Sequence, residues 1–202
     1  MQLQTRVRAG RWLLALLAVV TLTGYAAPHP QIVQKIDENQ LATLQGSVHP
    51  LAQAKFDQGA APDALPLKQM LLLLKRDAAS EQALNTAVAG QHDPSSANYH
   101  KWLTPAQFQK QYGASAADVS TLTSWLGGKG FTGIKLSAGG TVVEFSGTAG
   151  TVSSAFHTEI HQYKVNGELH YANASNPQVP AALLPAIKGL VSLNNFPHSR
   201  VG

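Results

Sequence analysis

The first apolar stretch, Trp12-Leu13-Leu14-Ala15-Leu16-Leu17-Ala18-Val19-Val20, is nine residues long. A membrane-crossing helix needs about 20. Arg6, Arg8 and Arg11 precede the run, and the small residues Gly24 and Ala26 follow it. A basic start, a short apolar centre and small residues at the exit predict a secretory signal peptide over residues 1–26, cut after Ala26. No cysteine follows the run to carry a lipid anchor. The expected location of the mature chain is outside the cytoplasm, extracellular or periplasmic, with no membrane attachment after cleavage.

Residues 27–66 hold Pro28, Pro30, Pro50, Pro62 and Pro66 with Gly46 and Gly59. This density of breakers predicts an extended N-terminal arm with short strand pieces, Leu41–Val48 foremost. The run Met70-Leu71-Leu72-Leu73-Leu74 follows within Leu67–Arg76. Periodicity does not separate a strand from a buried helix here; brevity and flanking prolines favour a buried central strand. Ser80, followed by Glu81, opens a helix expected to end near Gly90, and Asp93-Pro94-Ser95-Ser96 makes a turn.

Thr104-Pro105-Ala106-Gln107 combines an N-cap, a proline at the first helical position and a glutamine at the third, so a helix begins there and stops at Gly113. A second begins at Ser115, places Val119, Leu122, Trp125 and Leu126 on one face, and ends at Gly127-Gly128. Beyond it the period shortens. Phe131–Ser137 and Thr141–Ser146 flank Ala138-Gly139-Gly140 as a hairpin, and Thr148 caps a short helix with Val152, Ala155 and Phe156 inward. Thr158–Val165 and Glu168–Asn173 surround Asn166-Gly167, a strong hairpin signal. Pro180–Lys188 reads as a last short helix, and Leu190–Leu193 as a final strand. The order β-α-β-β-α-β predicts an α+β, ferredoxin-like antiparallel sheet with helices on one face.

Charge first points elsewhere. The 202 residues carry fifteen Lys plus Arg against eleven Asp plus Glu, a formal +4. Three of those bases are the export arginines. Without residues 1–26, twelve bases face eleven acids, a net +1 that leaves no basic footprint for nucleic acid. With no cysteine, disulfides, thiol chemistry and cysteine-ligated zinc are excluded.

Candidate chemistry is sparse. Ser146-Gly147-Thr148 reads as a turn and helix cap rather than a nucleophile, because it lacks the Gly-x-Ser-x-Gly elbow. Gly127-Gly128-Lys129-Gly130 lacks the spacing of a phosphate-binding loop. No catalytic residue and no cofactor is expected. The eight histidines all follow residue 26. If Phe156–His161 is a strand, His157 and His161 share a face, which fits a metal pair or a solvated surface. The Asn166-Gly167 turn sets Tyr163 opposite His170 and places His157, Glu159, His161, Tyr163, Glu168 and His170 together. That face is either an ordinary polar exterior or a surface that charges as pH falls through about 6.5. His157, His161 and His170 are therefore the candidate pH-sensing residues. Tyr99, Trp102, Phe108 and Tyr112 form either a recognition patch or the packing of a loop on two helices.

The stretch His92-Asp93-Pro94-Ser95-Ser96-Ala97-Asn98-Tyr99-His100-Lys101-Trp102-Leu103-Thr104-Pro105-Ala106-Gln107-Phe108 resembles the pro-kumamolisin activation domain, the propeptide of the sedolisin serine-carboxyl peptidases. The motif residues are Asp93, Pro94, Ser95, Tyr99, His100, Trp102, Leu103, Thr104 and Phe108. The likeness continues through Val143–Thr148, Ala155–His161, His170–Asn173 and Leu193–Phe196 and covers about residues 40–198. It implies a ferredoxin-like core similar to subtilisin propeptides. It also implies a prodomain that inhibits a sedolisin-type peptidase domain, in cis or in trans, assists its folding, and is cut away in acid. The expected organisation is signal peptide 1–26, arm 27–66, activation domain 67–198 and the start of a linker at 199–202. Sedolisins carry a Ser-Glu-Asp catalytic set, including a Ser-Gly-Thr-Ser motif, in a long domain after the prodomain. Ser146-Gly147-Thr148-Ala149 is not that motif, so no catalytic or calcium-binding residue carries over. The chain reads as the N-terminal piece of a longer precursor or as a stand-alone exported binding or inhibitor module.

Overall fold

The structure is a computed structural model that describes residues 27–197. The expected signal segment 1–26, His198 and residues 199–202 lie outside the described residues. In chain order the elements are β1 (Leu41–Thr43), β2 (Asp57–Ala60), β3 (Pro66–Leu74), α1 (Ala78–His92), α2 (Pro105–Tyr112), α3 (Ala116–Gly128), β4 (Thr132–Leu136), β5 (Val142–Thr148), α4 (Ala149–Phe156), β6 (Ile160–Val165), β7 (Glu168–Asn173), β8 (Gln178–Pro180) and β9 (Ile187–Val191). Short 3-10 turns precede β2 at Ala54–Phe56 and β9 at Ala181–Ala186.

The leucine run is a central strand, as its brevity and flanking prolines predict. β3 lies between β5 and β9 in a four-stranded sheet of order β4-β5-β3-β9, every neighbouring pair antiparallel. Strand order and connections together give the split β-α-β-β-α-β arrangement of an α+β sandwich. Leu72 faces Val143 on one side and Leu190 on the other, and Met70 faces Phe145. Those side chains point to one face, where Leu122, Trp125 and Leu126 of α3 and Val152, Ala155 and Phe156 of α4 close the core. Phe131 meets Phe145 edge-on at 5.0 Å and Phe156 at 5.4 Å. Gly147 lies against this cluster: a Cβ there would sit 2.7 Å from the Phe131 ring, which leaves room for glycine only.

Local signals place most boundaries. Thr104 and Gln107 form the reciprocal capping box, Ser115 caps α3 and Thr148 caps α4. Asn166 and Gly167 both have positive φ, 52° and 87°, as a tight hairpin turn requires. The cap of α1 is Asp77 rather than Ser80: its carboxylate accepts the Ser80 N–H at 3.0 Å and the Ser80 hydroxyl at 2.6 Å. The expected helix over Pro180–Lys188 is only a 3-10 turn, because Pro185 lacks an N–H to continue it, and Ile187 already pairs with Leu74 in β9.

The covering layer is narrower than three helices in the first crossover would allow. α3 and α4 cover the sheet, whereas α1 buries only Ser80 and α2 only Tyr112. These two stand off the core as a helical hairpin. The segment expected as an arm is extended but built into the domain. β1 pairs with β8, β2 pairs with β6, and Leu44 and Ala61 enter the core. Further upstream, Asp118 takes the N–H groups of Gln31 at 2.9 Å and Ile32 at 2.9 Å on its buried carboxylate. Trp125 Nε1 donates to Glu38 at 3.0 Å. A second sheet, β2-β6-β7, completes the fold. Among the described residues no helix is long and apolar enough to cross a membrane.

Candidate functional site

Alternation along β3 sends Leu72 and Leu74 into the core and leaves Leu71 and Leu73 half-buried on the opposite face. Leu71 lies between Glu144 and Val191, and Leu73 between Val142 and Gly189. Lys135 pairs with Glu144 on the outer side. Gly189 leaves open space beside Leu73. The result is a shallow apolar stripe, Leu71, Leu73, Val142 and Val191, bordered by one acid and one base. Burying such a stripe against another surface is the favourable outcome available to it.

The three candidate histidines do not form one cluster. His157 is the left-handed C-cap of α4, at φ 50°, and is exposed. It lies before β6, so it does not share a strand face with His161, and the metal-pair geometry is absent. Among the described residues no group of three or more His, Asp and Glu is arranged to hold a metal ion.

His161 bridges two carboxylates. Its Nδ1 lies 2.8 Å from Asp57 Oδ2, and its Nε2 lies 3.1 Å from Glu159 Oε2. Burial opposes the charged ring, but the hydrogen bonds and charges of Glu159 and Asp57 outweigh it, and its pKa is raised. Burial likewise opposes ionisation of Asp57, and the Gly59 N–H and His161 overcome it, so that carboxyl sits below its ordinary value.

His170 faces Tyr163, as the turn register predicts. The face they share is packed rather than a polar exterior. Tyr163, Val165, Ala172 and Phe196 form a second small core with Ala52 and Phe56. Asn195 accepts the Tyr171 N–H at 2.7 Å and donates its own N–H back to the Tyr171 carbonyl at 3.2 Å. That pairing lays Phe196 between the rings of His49, at 4.3 Å, and His170, at 4.5 Å. His170 Nδ1 is buried without a partner among the described residues. No local pattern in β6 or β7 announces a lid supplied by residues 49–56 and 196.

The 92–108 motif divides into a scaffold and an exposed corner. Asp93 Oδ1 accepts the Ser95 N–H at 2.8 Å and its hydroxyl at 2.7 Å, with Pro94 between them. Gln91 accepts the His100 N–H at 3.1 Å and donates to the Lys101 carbonyl at 2.7 Å. Leu103 is half-buried, and Thr104 caps α2. Phe108 packs on Tyr112 and beneath Arg76, whose Nε donates to the Tyr112 carbonyl. Tyr99 and Trp102 instead face solvent, 39% and 65% exposed. The four aromatics singled out in the sequence therefore split into a packed pair and an exposed pair.

Ser146 Oγ accepts the Gln69 N–H at 3.3 Å, and Thr148 caps α4 as expected, but Ser146 and Gly147 continue β5 instead of forming the expected turn. A cleft of about 700 Å³ lies between residues 27–30, α2 and the start of α3. Among the described residues Lys110 is the one charged side chain in its lining, so they offer no acid–base pair there.

The described residues thus form an α+β sandwich with a partly exposed apolar sheet stripe and an aromatic loop that turns two rings to solvent. Residues 53–196 match the family described as pro-kumamolisin, activation domain, and the chain belongs to that family. Two relatives extend the match. Xanthomonalisin of Xanthomonas sp. (strain T-22) is 33% identical over 161 residues, covering 76% of this chain and 19% of that protein. Sedolisin of Pseudomonas sp. (strain 101) is 32% identical over 120 residues, covering 59% of this chain and 20% of that protein. The chain thus spans about a fifth of the length of these curated relatives.

Proposed function

We propose that this chain is an exported propeptide. It docks on a sedolisin-type serine-carboxyl peptidase domain, in cis or in trans, occludes the substrate cleft, assists folding of that domain, and is released by proteolysis in acid. The observation that carries this reading is the partly exposed apolar stripe Leu71, Leu73, Val142 and Val191 on a domain of the activation-domain family. The domain itself is non-catalytic and needs no cofactor. A net +1 after residue 26 gives it no attraction to nucleic acid. Residues 1–26 supply export, so the domain acts outside the cytoplasm and off the membrane.

Acid release requires the bound and free forms to differ in proton uptake. His157, His161 and His170 are its candidate sensors. His161 lies between Asp57 and Glu159, whose charges favour its protonated form, so proton uptake there supports the domain's own fold rather than loosening it.

The test is inhibition of a purified sedolisin-family peptidase by this domain at pH 7 and at pH 4. The expected result is inhibition at pH 7 that is lost at pH 4. Equal inhibition at both values overturns acid release, and inhibition at neither overturns the inhibitory role.

A further inference from the structure

The α1–α2 hairpin contributes almost nothing to the core, yet its tip is firmly built. α1 is a fifteen-residue helix whose one buried residue is Ser80, and α2 buries only Tyr112. At the tip, Tyr99 stacks on His100 at 3.8 Å, and the Trp102 ring lies 6.0 Å from His100 and 6.1 Å from His92. His100 holds φ at 55°, a conformation that a non-glycine residue keeps only where its surroundings impose it. Here the Gln91 bonds to His100 and Lys101, the Asp93–Ser95 turn and the Thr104 cap impose it. A tryptophan 65% exposed on a loop held by these bonds has less ordering cost left to meet on binding than one on an unbonded loop.

We infer that the Tyr99–Trp102 corner is a second docking element, which seats in an apolar, uncharged recess of the same peptidase domain that the stripe engages. The inference rests on the function proposed above. The hairpin's Glu81 and Asp93 are balanced by Lys101 and Lys110, so an apolar partner surface suits it better than a charged one. Two features of scale select a domain as the occupant rather than a peptide. The hairpin leaves β3 only three residues after the stripe strand ends at Leu74. Arg76 braces that junction through Glu81, at 3.1 Å, and the Tyr112 carbonyl. A helix of this length carries the tip about 22 Å from the junction, so only a body of domain size touches stripe and corner together. In the relatives the matched segment is 19–20% of the chain, and the remaining four-fifths is material of that size.

The test measures affinity of the full chain for the catalytic domain of the Pseudomonas sp. (strain 101) sedolisin at pH 7. The variants are Trp102→Ala, Tyr99→Ala and, on the stripe, Leu73→Asp. Thermal unfolding followed by circular dichroism confirms that each variant is folded. Trp102→Ala is expected to weaken binding about thirtyfold, the loss typical of a central aromatic anchor, with Trp102→Phe recovering most of it. If Trp102→Ala and Tyr99→Ala both bind within about twofold of the parent while Leu73→Asp loses binding, the corner proposal is overturned and the stripe reading stands. If the parent chain does not bind, both are overturned.

Discussion

The imidazole of His161 and the carboxylate of Asp57 meet at 2.8 Å across 104 residues of sequence and tie β6 to β2. Both groups are shielded, with side chains 19% and 29% exposed, and Glu159 closes the other side of the ring. The contact links what reads as an arm in the sequence to the second sheet.

Its pH dependence has two limits. The raised His161 contributes stability that is complete below its ordinary value of 6.5 and is lost as pH rises through its folded value. The lowered Asp57 contributes stability that is present above its ordinary value of 3.8 and is lost as pH falls through its folded value. The pair therefore supports the fold most in mild acid, between those two ordinary values. Urea unfolding across this range is expected to show a stability maximum there. Asp57→Asn should flatten the profile and lower that maximum by about 1–2 kcal/mol. An unchanged profile in Asp57→Asn would remove this role from the pair.

Asp118 predicts a second loss. Its carboxylate is 1% exposed and receives the Gln31 and Ile32 N–H groups while its own N–H is capped by Ser115. Asp118→Ala should cost about 2–4 kcal/mol, because it strands backbone donors as well as removing bonds. Hydrogen exchange at Gln31 and Ile32 should accelerate in this variant while exchange in β3 and β5 follows only the global loss.

Gly147→Ala places a methyl 2.7 Å from the Phe131 ring. Overpacking of this kind costs about 1–3 kcal/mol. Phe131→Leu in the same chain should recover part of that loss, and denaturant midpoints of the two single variants and the double variant measure the coupling. Additive losses would show that the ring is not what excludes the methyl.

Leu73→Asp tests the stripe separately from stability. Leu73 lies outside the core cluster, and its neighbour Gly189 leaves space beside it. The variant is expected to unfold within about 1 kcal/mol of the parent and to lose inhibition of a sedolisin-family peptidase at pH 7. Retained inhibition in the folded variant would contradict docking through this face.

Particular elements show how far the sequence alone reaches. The Thr104–Gln107 capping box, the Asn166-Gly167 turn and the Ser115 and Thr148 caps are legible because each depends on partners within three or four positions or on one residue's own backbone preference. The leucine strand is legible from the shortness of its apolar run and its flanking prolines. The 92–108 motif is legible through family resemblance, which places the loop without saying which aromatics face outward. His161 and His170 are legible as a shared face. That the face is covered is not, since Phe196 and residues 49–56 arrive from the far ends of the domain.

What the sequence by itself determined is the elements of the β-α-β-β-α-β core from β3 to α4, the hairpin of β6 and β7, the antiparallel α+β class and the family. Local hydrogen bonding and hydrophobic period carry the elements and the class, and the 92–108 motif carries the family through resemblance. Tertiary structure alone decided which face of each sheet is covered, which helices leave the core, and where the N-terminal segment is anchored. Each of those outcomes rests on contacts such as Gln31 to Asp118, 87 residues apart, or His161 to Asp57. Such contacts form only after the chain closes long loops, and nothing in the neighbouring residues records which partner the closure brings.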